Sequence, residues 1–82
     1  MNSDANILTL SEAKPGRAYI LVGFDTGQML KERIYSMGLN SGTGFRILLN
    51  SGHGPVELEV RRTRLGIGRG MARKIRVKEF EQ

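Results

Sequence analysis

Hydrophobic positions fall along the chain in three regimes. Residues 18–24, AYILVGF, are apolar on both faces, which marks a strand but leaves open whether Tyr19 and Leu21 or Ile20 and Val22 face the core. Leu30, Ile34 and Met37 then recur at helical spacing, with Lys31, Glu32 and Ser36 on the other side. From Phe45 onward the period falls to two. Phe45, Ile47 and Leu49 share a face with Arg46 opposite; after the turn at 50–55, Val56, Leu58 and Val60 alternate with Glu57, Glu59 and Arg61. This predicts an antiparallel hairpin, followed by a short strand at 64–67, one helical turn at 69–73 and a last strand at 74–78 with Ile75 and Val77 inward.

The punctuation between these segments agrees with the periods. Residues 1–7 read as a flexible approach. Lys14-Pro15-Gly16-Arg17 puts proline and glycine where a type II turn needs them. Asp25 and Thr26 suit a helix N-cap, and Gly38 stands where a left-handed residue ends a helix, with Leu39 placed to fold back on the last turn. Gly42 and Gly44 are expected to turn the chain tightly into the strand at Phe45. About five short strands with one helix inserted after the first strand predict a mainly β fold, a small barrel that closes its own edges. The 82 residues suffice for a single domain over 1–82, and no repeat or linker interrupts it.

Composition narrows the chemistry. The chain has no cysteine, so disulfides and thiolate metal sites are excluded and the cytoplasm is the expected compartment. The longest uninterrupted apolar run, 18–22, is far short of the ~20 residues of a membrane helix, so no membrane insertion is expected. The net charge of +5 is uneven: residues 1–40 carry four basic and four acidic groups, residues 41–82 nine and four. Eight of the basic residues lie within 61–78, where there is no carboxylate.

Gly38, Gly42 and Gly44 raise the idea of a phosphate loop, and GIGRG at 66–70 repeats it. A Walker loop needs strand, glycine loop with lysine, then helix, whereas these glycines follow a helix and face its carbonyl end, which repels anions. His53 is the single histidine and lies in a glycine-rich turn, no acidic cluster accompanies it, and no nucleophile and base set is evident. Neither a metal, a cofactor nor catalysis is expected. The basic segment remains, and its functional reading is contact with an acidic partner through Arg61, Arg62 and Arg64. Phe80 is the sole aromatic after Phe45, so stacking platforms for nucleic acid are lacking and a protein partner is favoured. The alternative is a small basic nucleic-acid-binding barrel. Met29 and Arg33, with Tyr35, flank the helix stripe and form a second candidate contact surface.

The order of these motifs resembles the FeoA family, small cytoplasmic accessory proteins of bacterial ferrous iron transport. The resemblance runs from LSEAKPG through the helix end LKERIYSMGLNSG and the strand FRILL to GHGPVELEVRRTRLGIGRGMARKIRV. Its most specific part is Leu30, Arg33, Met37, Gly38, Leu39 and Gly42, followed by Gly54-Pro55, Leu65, Ala72, Ile75 and Val77. The resemblance implies an SH3-like barrel with a helical insertion, no catalysis and no firmly established metal site. It also implies a role beside the FeoB-type ferrous iron permease through its cytoplasmic GTP-binding region, with self-association open to it. Similar SH3-like domains also end some metal-dependent repressors. Ser41 departs from the proline that the family commonly has before the glycine.

Overall fold

Six strands form one antiparallel sheet in the order β1-β6-β2-β3-β4-β5. In the computed structural model, which describes residues 7–25 and 28–80, these are β1 (Ile7–Thr9), β2 (Ala18–Phe24), β3 (Gly44–Leu49), β4 (Val56–Val60), β5 (Thr63–Ile67) and β6 (Ile75–Glu79). Helix α1 (Gln28–Ser36) joins β2 to β3, and the single turn α2 (Arg69–Ala72) joins β5 to β6. Inward residues of β2 to β6, with Leu10, Ala13, Ile34, Leu39 and Ala72, make one buried cluster, so the sheet curls around a single core.

Most of the expected elements are present, and the differences have physical causes. The approach to the first expected strand is itself structured: Ile7 pairs with Lys78 and Thr9 with Arg76, and Leu10 in the following 3-10 turn is among the most buried side chains. Three residues are too few to show a period, and their partner lies at the far end of the chain. Residues 1–6 lie outside the described residues. The helix therefore follows the second strand, and among the described residues the strands number six. Among the described residues the sheet is also not closed by hydrogen bonds, since β1 and β5 are its two ends.

Packing resolves the ambiguous faces. In β2, Tyr19 and Leu21 are buried, whereas Val22 is 37% exposed. The Tyr19 hydroxyl accepts from the Lys14 N–H at 2.8 Å, satisfying its polar end as its ring stacks near Phe45. In β3 the strict alternation fails at Leu49. The register with β4 shifts between Ile47, opposite Leu58, and Leu49, opposite Glu57, so a bulge turns Leu49 outward to 49% exposure. Of the helix stripe, Ile34 is fully buried, while Leu30 and Met37 pack against the core part-exposed.

The connections are set by their turn chemistry. At Lys14-Pro15-Gly16-Arg17, Gly16 has φ +84° and the Arg17 N–H donates to the Lys14 carbonyl, as expected of a type II turn. Helix α1 ends in a Schellman motif: the Gly38 N–H donates to the Tyr35 carbonyl at 3.0 Å and the Leu39 N–H to the Ile34 carbonyl at 3.3 Å, with Gly38 at φ +97°. Leu39 and Ile34 are buried together in the core. A second type II turn follows, in which the Thr43 N–H donates to the Asn40 carbonyl and Gly42 has φ +84°. Gly44 does not share this role; it opens β3 opposite Ile20 with a negative φ and space for a side chain. Thr26 lies outside the described residues; the Asp25 N–H donates to the Lys74 carbonyl and its carboxylate pairs with Arg76.

Arg69 is a structural clamp. Its guanidinium donates to the Gly54 carbonyl at 3.0 Å, the Ser11 carbonyl at 3.3 Å and Asn50 Oδ1 at 2.6 Å. The Asn50 amide in turn donates to the carbonyls of Ser11 and Ala13 at 3.0 and 2.7 Å. One planar fork thus ties α2 to the β3–β4 loop and to the segment after β1, which share no secondary-structure ladder.

Two predictions follow from these contacts. Arg69→Ala should destabilise the fold by about 2 kcal/mol, since charged donors are lost to three acceptors, and Arg69→Lys should recover only part because an ammonium lacks the fork. A denaturant midpoint shifted by less than about 0.5 kcal/mol equivalent would refute the clamp. Ser41→Pro should stabilise by about 0.5 kcal/mol, because Ser41 holds the second position of a type II turn where proline fits. A lowered thermal midpoint would show that the exposed Ser41 to Tyr35 hydroxyl contact at 3.2 Å matters more than chain entropy.

Candidate functional site

The segment 61–78, a single cationic run along the chain, is divided by the fold. Arg64 donates from Nε and Nη2 to Glu57 Oε1 at 3.0 and 2.8 Å, reaching across from β5 to β4. Arg76 on β6 meets Asp25 at 2.7 Å, and Arg69 is committed to the clamp. The carboxylates missing from the run are supplied by other strands and loops. Among the described residues, Arg61, Arg62, Arg73, Lys74 and Lys78 remain without an ion pair.

Arg61 and Arg62 form the tip of the β4–β5 hairpin. Val60 pairs directly with Thr63, so the loop is two residues long. Both arginines have left-handed backbones, φ +51° and +68°. This is a type I′ turn, whose twist matches the flanking strands and which usually carries Asn-Gly. For a side chain with a Cβ, each left-handed residue costs about 1–2 kcal/mol. The strain leaves two adjacent guanidiniums exposed at the extremity of the hairpin. Arg64, grouped with them by sequence, lies on the strand instead; its pairing to Glu57 is exposed and contributes at most about 1 kcal/mol, so it restrains the side chain more than it stabilises the fold.

Met29 and Arg33 stand four apart on α1 and therefore on one face. Met29 is 86% exposed, the most open large apolar side chain among the described residues, and Arg33 four positions on is exposed as well. Tyr35 does not belong to this surface. It is part-buried, edge-on to Phe24 with centroids 6.0 Å apart, and the Lys31 ammonium lies 5.6 Å from its ring centre.

The other candidates resolve into structure. Gly38 and Gly42 carry the positive φ of a helix end and a turn, and GIGRG contributes Gly68, whose carbonyl accepts the first hydrogen bond of the four-residue α2. His53 is exposed in its loop, and among the described residues no group of three His, Cys, Asp or Glu could hold a metal ion. Among those residues, too, no helix is long and apolar enough to cross a membrane. Sequence reasoning missed the roles of Asn50 and Arg69, and no local signal marks them, since their partners lie as far as 58 positions away.

Comparison with known proteins gives the same architecture a family. The FeoA domain matches residues 8–79. A protein of Methanocaldococcus jannaschii described as putative Fe(2+) transport protein A is 36% identical over 72 residues, covering 88% of this chain and 87% of its own. Among solved structures, the crystal structure of an iron uptake regulatory protein (FeoA) superposes with a TM-score of 0.83 at 31% identity, covering 90% of this chain and 99% of that one. The apo form of the manganese-activated repressor ScaR is similar at a TM-score of 0.78 and 28% identity, but the match covers 89% of this chain and 35% of ScaR. The SH3-like barrel with one inserted helix and the match along nearly its whole length lead to one conclusion: the chain belongs to the FeoA family.

Proposed function

We propose that this protein is a non-enzymatic cytoplasmic accessory of ferrous iron uptake that binds the cytoplasmic region of a FeoB-type permease and influences its GTP-binding domain. The observation that carries the reading is the FeoA match over residues 8–79, to which the relative described as a putative Fe(2+) transport protein lends the transported ion. The surface supports docking rather than chemistry. Its free cations at Arg61 and Arg62 suit carboxylates of a partner, since arginine binds them in bidentate fashion, with Arg64 beside them once it releases Glu57. Met29 and Arg33 provide an apolar and basic pair of the kind enriched at interfaces. No cofactor enters this reading, and iron is the cargo of the permease.

A second reading, a basic nucleic-acid-binding barrel, draws on the charge of +5 and on the likeness to ScaR. It is weakened by the internal commitment of Arg64, Arg69 and Arg76 and by the lack of aromatic residues beside the free arginines.

Capture of this protein by the purified cytoplasmic region of the permease, measured beside a nucleic-acid shift assay, separates the two. The permease region should bind. Arg61→Ala with Arg62→Ala, or Met29→Ala with Arg33→Ala, should weaken binding about tenfold, the loss expected for charge-assisted contacts. Nucleic-acid binding with a steep salt dependence and no permease capture would overturn the proposal.

A further inference from the structure

β5 is the terminal strand of the sheet and carries an open row of backbone groups beside the strained arginines. In a two-residue hairpin the residues flanking the loop exchange both hydrogen bonds, so Val60 and Thr63 form the first bonded pair. Alternation then bonds Leu58 with Leu65 and Val56 with Ile67. Arg64 and Gly66 consequently point their N–H and C=O groups away from β4. Among the described residues nothing bonds to them on that side. Another extended peptide matches this spacing of donors and acceptors, whereas a nucleic acid or a free phosphate does not.

The turn that starts this edge has a composition its conformation disfavours. Asn-Gly would take up the same left-handed pair with little strain. Neither guanidinium of Arg61 or Arg62 has an internal partner among the described residues, so the fold gains nothing visible from the two side chains. Strain that the fold itself does not use is a mark of function.

We propose that the β5 edge and the Arg61, Arg62 tip together form a docking site for an extended acidic segment of a protein partner. The segment adds along Thr63–Ile67 as a seventh strand, pairs with the backbone of Arg64 and Gly66, and sets its carboxylates against Arg61 and Arg62. This rests on the partner-binding reading above and names the chemistry by which the partner is recognised.

The test is a nuclear magnetic resonance titration of the isotope-labelled full chain with the peptides Glu-Glu-Thr-Val-Thr-Val-Thr and its reverse, against a control with glutamine in place of glutamate. One of the acidic peptides should shift amides confined to 61–67 and slow hydrogen exchange at Arg64 and Gly66 about tenfold. R61N with R62G should raise the thermal midpoint by about 5 °C through relief of the turn and weaken peptide binding at least fivefold. The charge-matched Arg73→Gln with Lys74→Gln should leave peptide binding unchanged.

Shifts spread over the whole surface, equal loss in the two double variants, or equal binding of the glutamine control would overturn the site. So would tighter binding of a ten-nucleotide oligothymidylate at 61–67. Unchanged peptide binding with new self-association in R61N with R62G would assign the arginines to guarding the edge instead. Negative peptide results with retained permease capture would remove the edge site alone. Positive peptide results without permease capture would remove the permease reading alone.

Discussion

The structure depends on the placement of β6 between β1 and β2. The last strand pairs with Ile7 to Thr9 on one side and with Tyr19 through Phe24 on the other, so two early strands that follow each other in sequence are joined in the sheet by way of it. Ile75 and Val77 carry the inward face of this strand and share the buried core with Leu21, which stands opposite Val77, and with Leu10. Ion pairs fasten both ends of the β2–β6 ladder, Arg17 with Glu79 at 3.3 Å and Arg76 with Asp25 at 2.7 Å. Closing a loop this long costs little more than closing one half its length, because loop entropy grows only logarithmically. The arrangement is therefore thermodynamically accessible to a short chain without disulfides.

The same closure determines the electrostatics. To travel from the β4–β5 tip to β6, the basic segment must pass through α2 and around the core. Along that path it meets Glu57, Asp25 and the carbonyl oxygens of Ser11 and Gly54. Charges that are consecutive along the chain become separated by function: Arg69 holds the fold together, Arg64 and Arg76 are restrained by carboxylates, and Arg61 and Arg62 are left projecting from a turn. An excess of positive charge thus becomes a localised feature of the surface. The unpaired edge of β5 is a further result, since a sheet whose final strand is inserted near its beginning must leave another strand at the margin.

Short-range order was legible where a residue's own conformational preference decides it. Pro15 and Gly16 announce their turn, Gly38 with Leu39 the helix end, and the alternation of Val56, Leu58 and Val60 the face of β4. Of the candidate contact residues, Arg61, Arg62, Met29 and Arg33 are exposed as their charge or helical position suggests. What was not legible is that Arg-Arg would fill a turn better suited to Asn-Gly, because the strand twist on either side selects the turn type regardless of local preference. Leu49 shows the same override: a bulge one residue earlier exchanges the inner face for the outer.

By itself the sequence determined a mainly β fold, the position of its helix and turns, the absence of cysteine chemistry, and the family pattern that the comparisons bear out. These rest on local conformational energies and on residue types, which do not need partners to be read. The tertiary structure decided the first strand, the insertion of β6, the clamp of Arg69 on Asn50, and which arginines remain free. Each of these depends on groups that are distant along the chain and meet when the core forms, and no local pattern records which of several equivalent charges or apolar residues will find the partner.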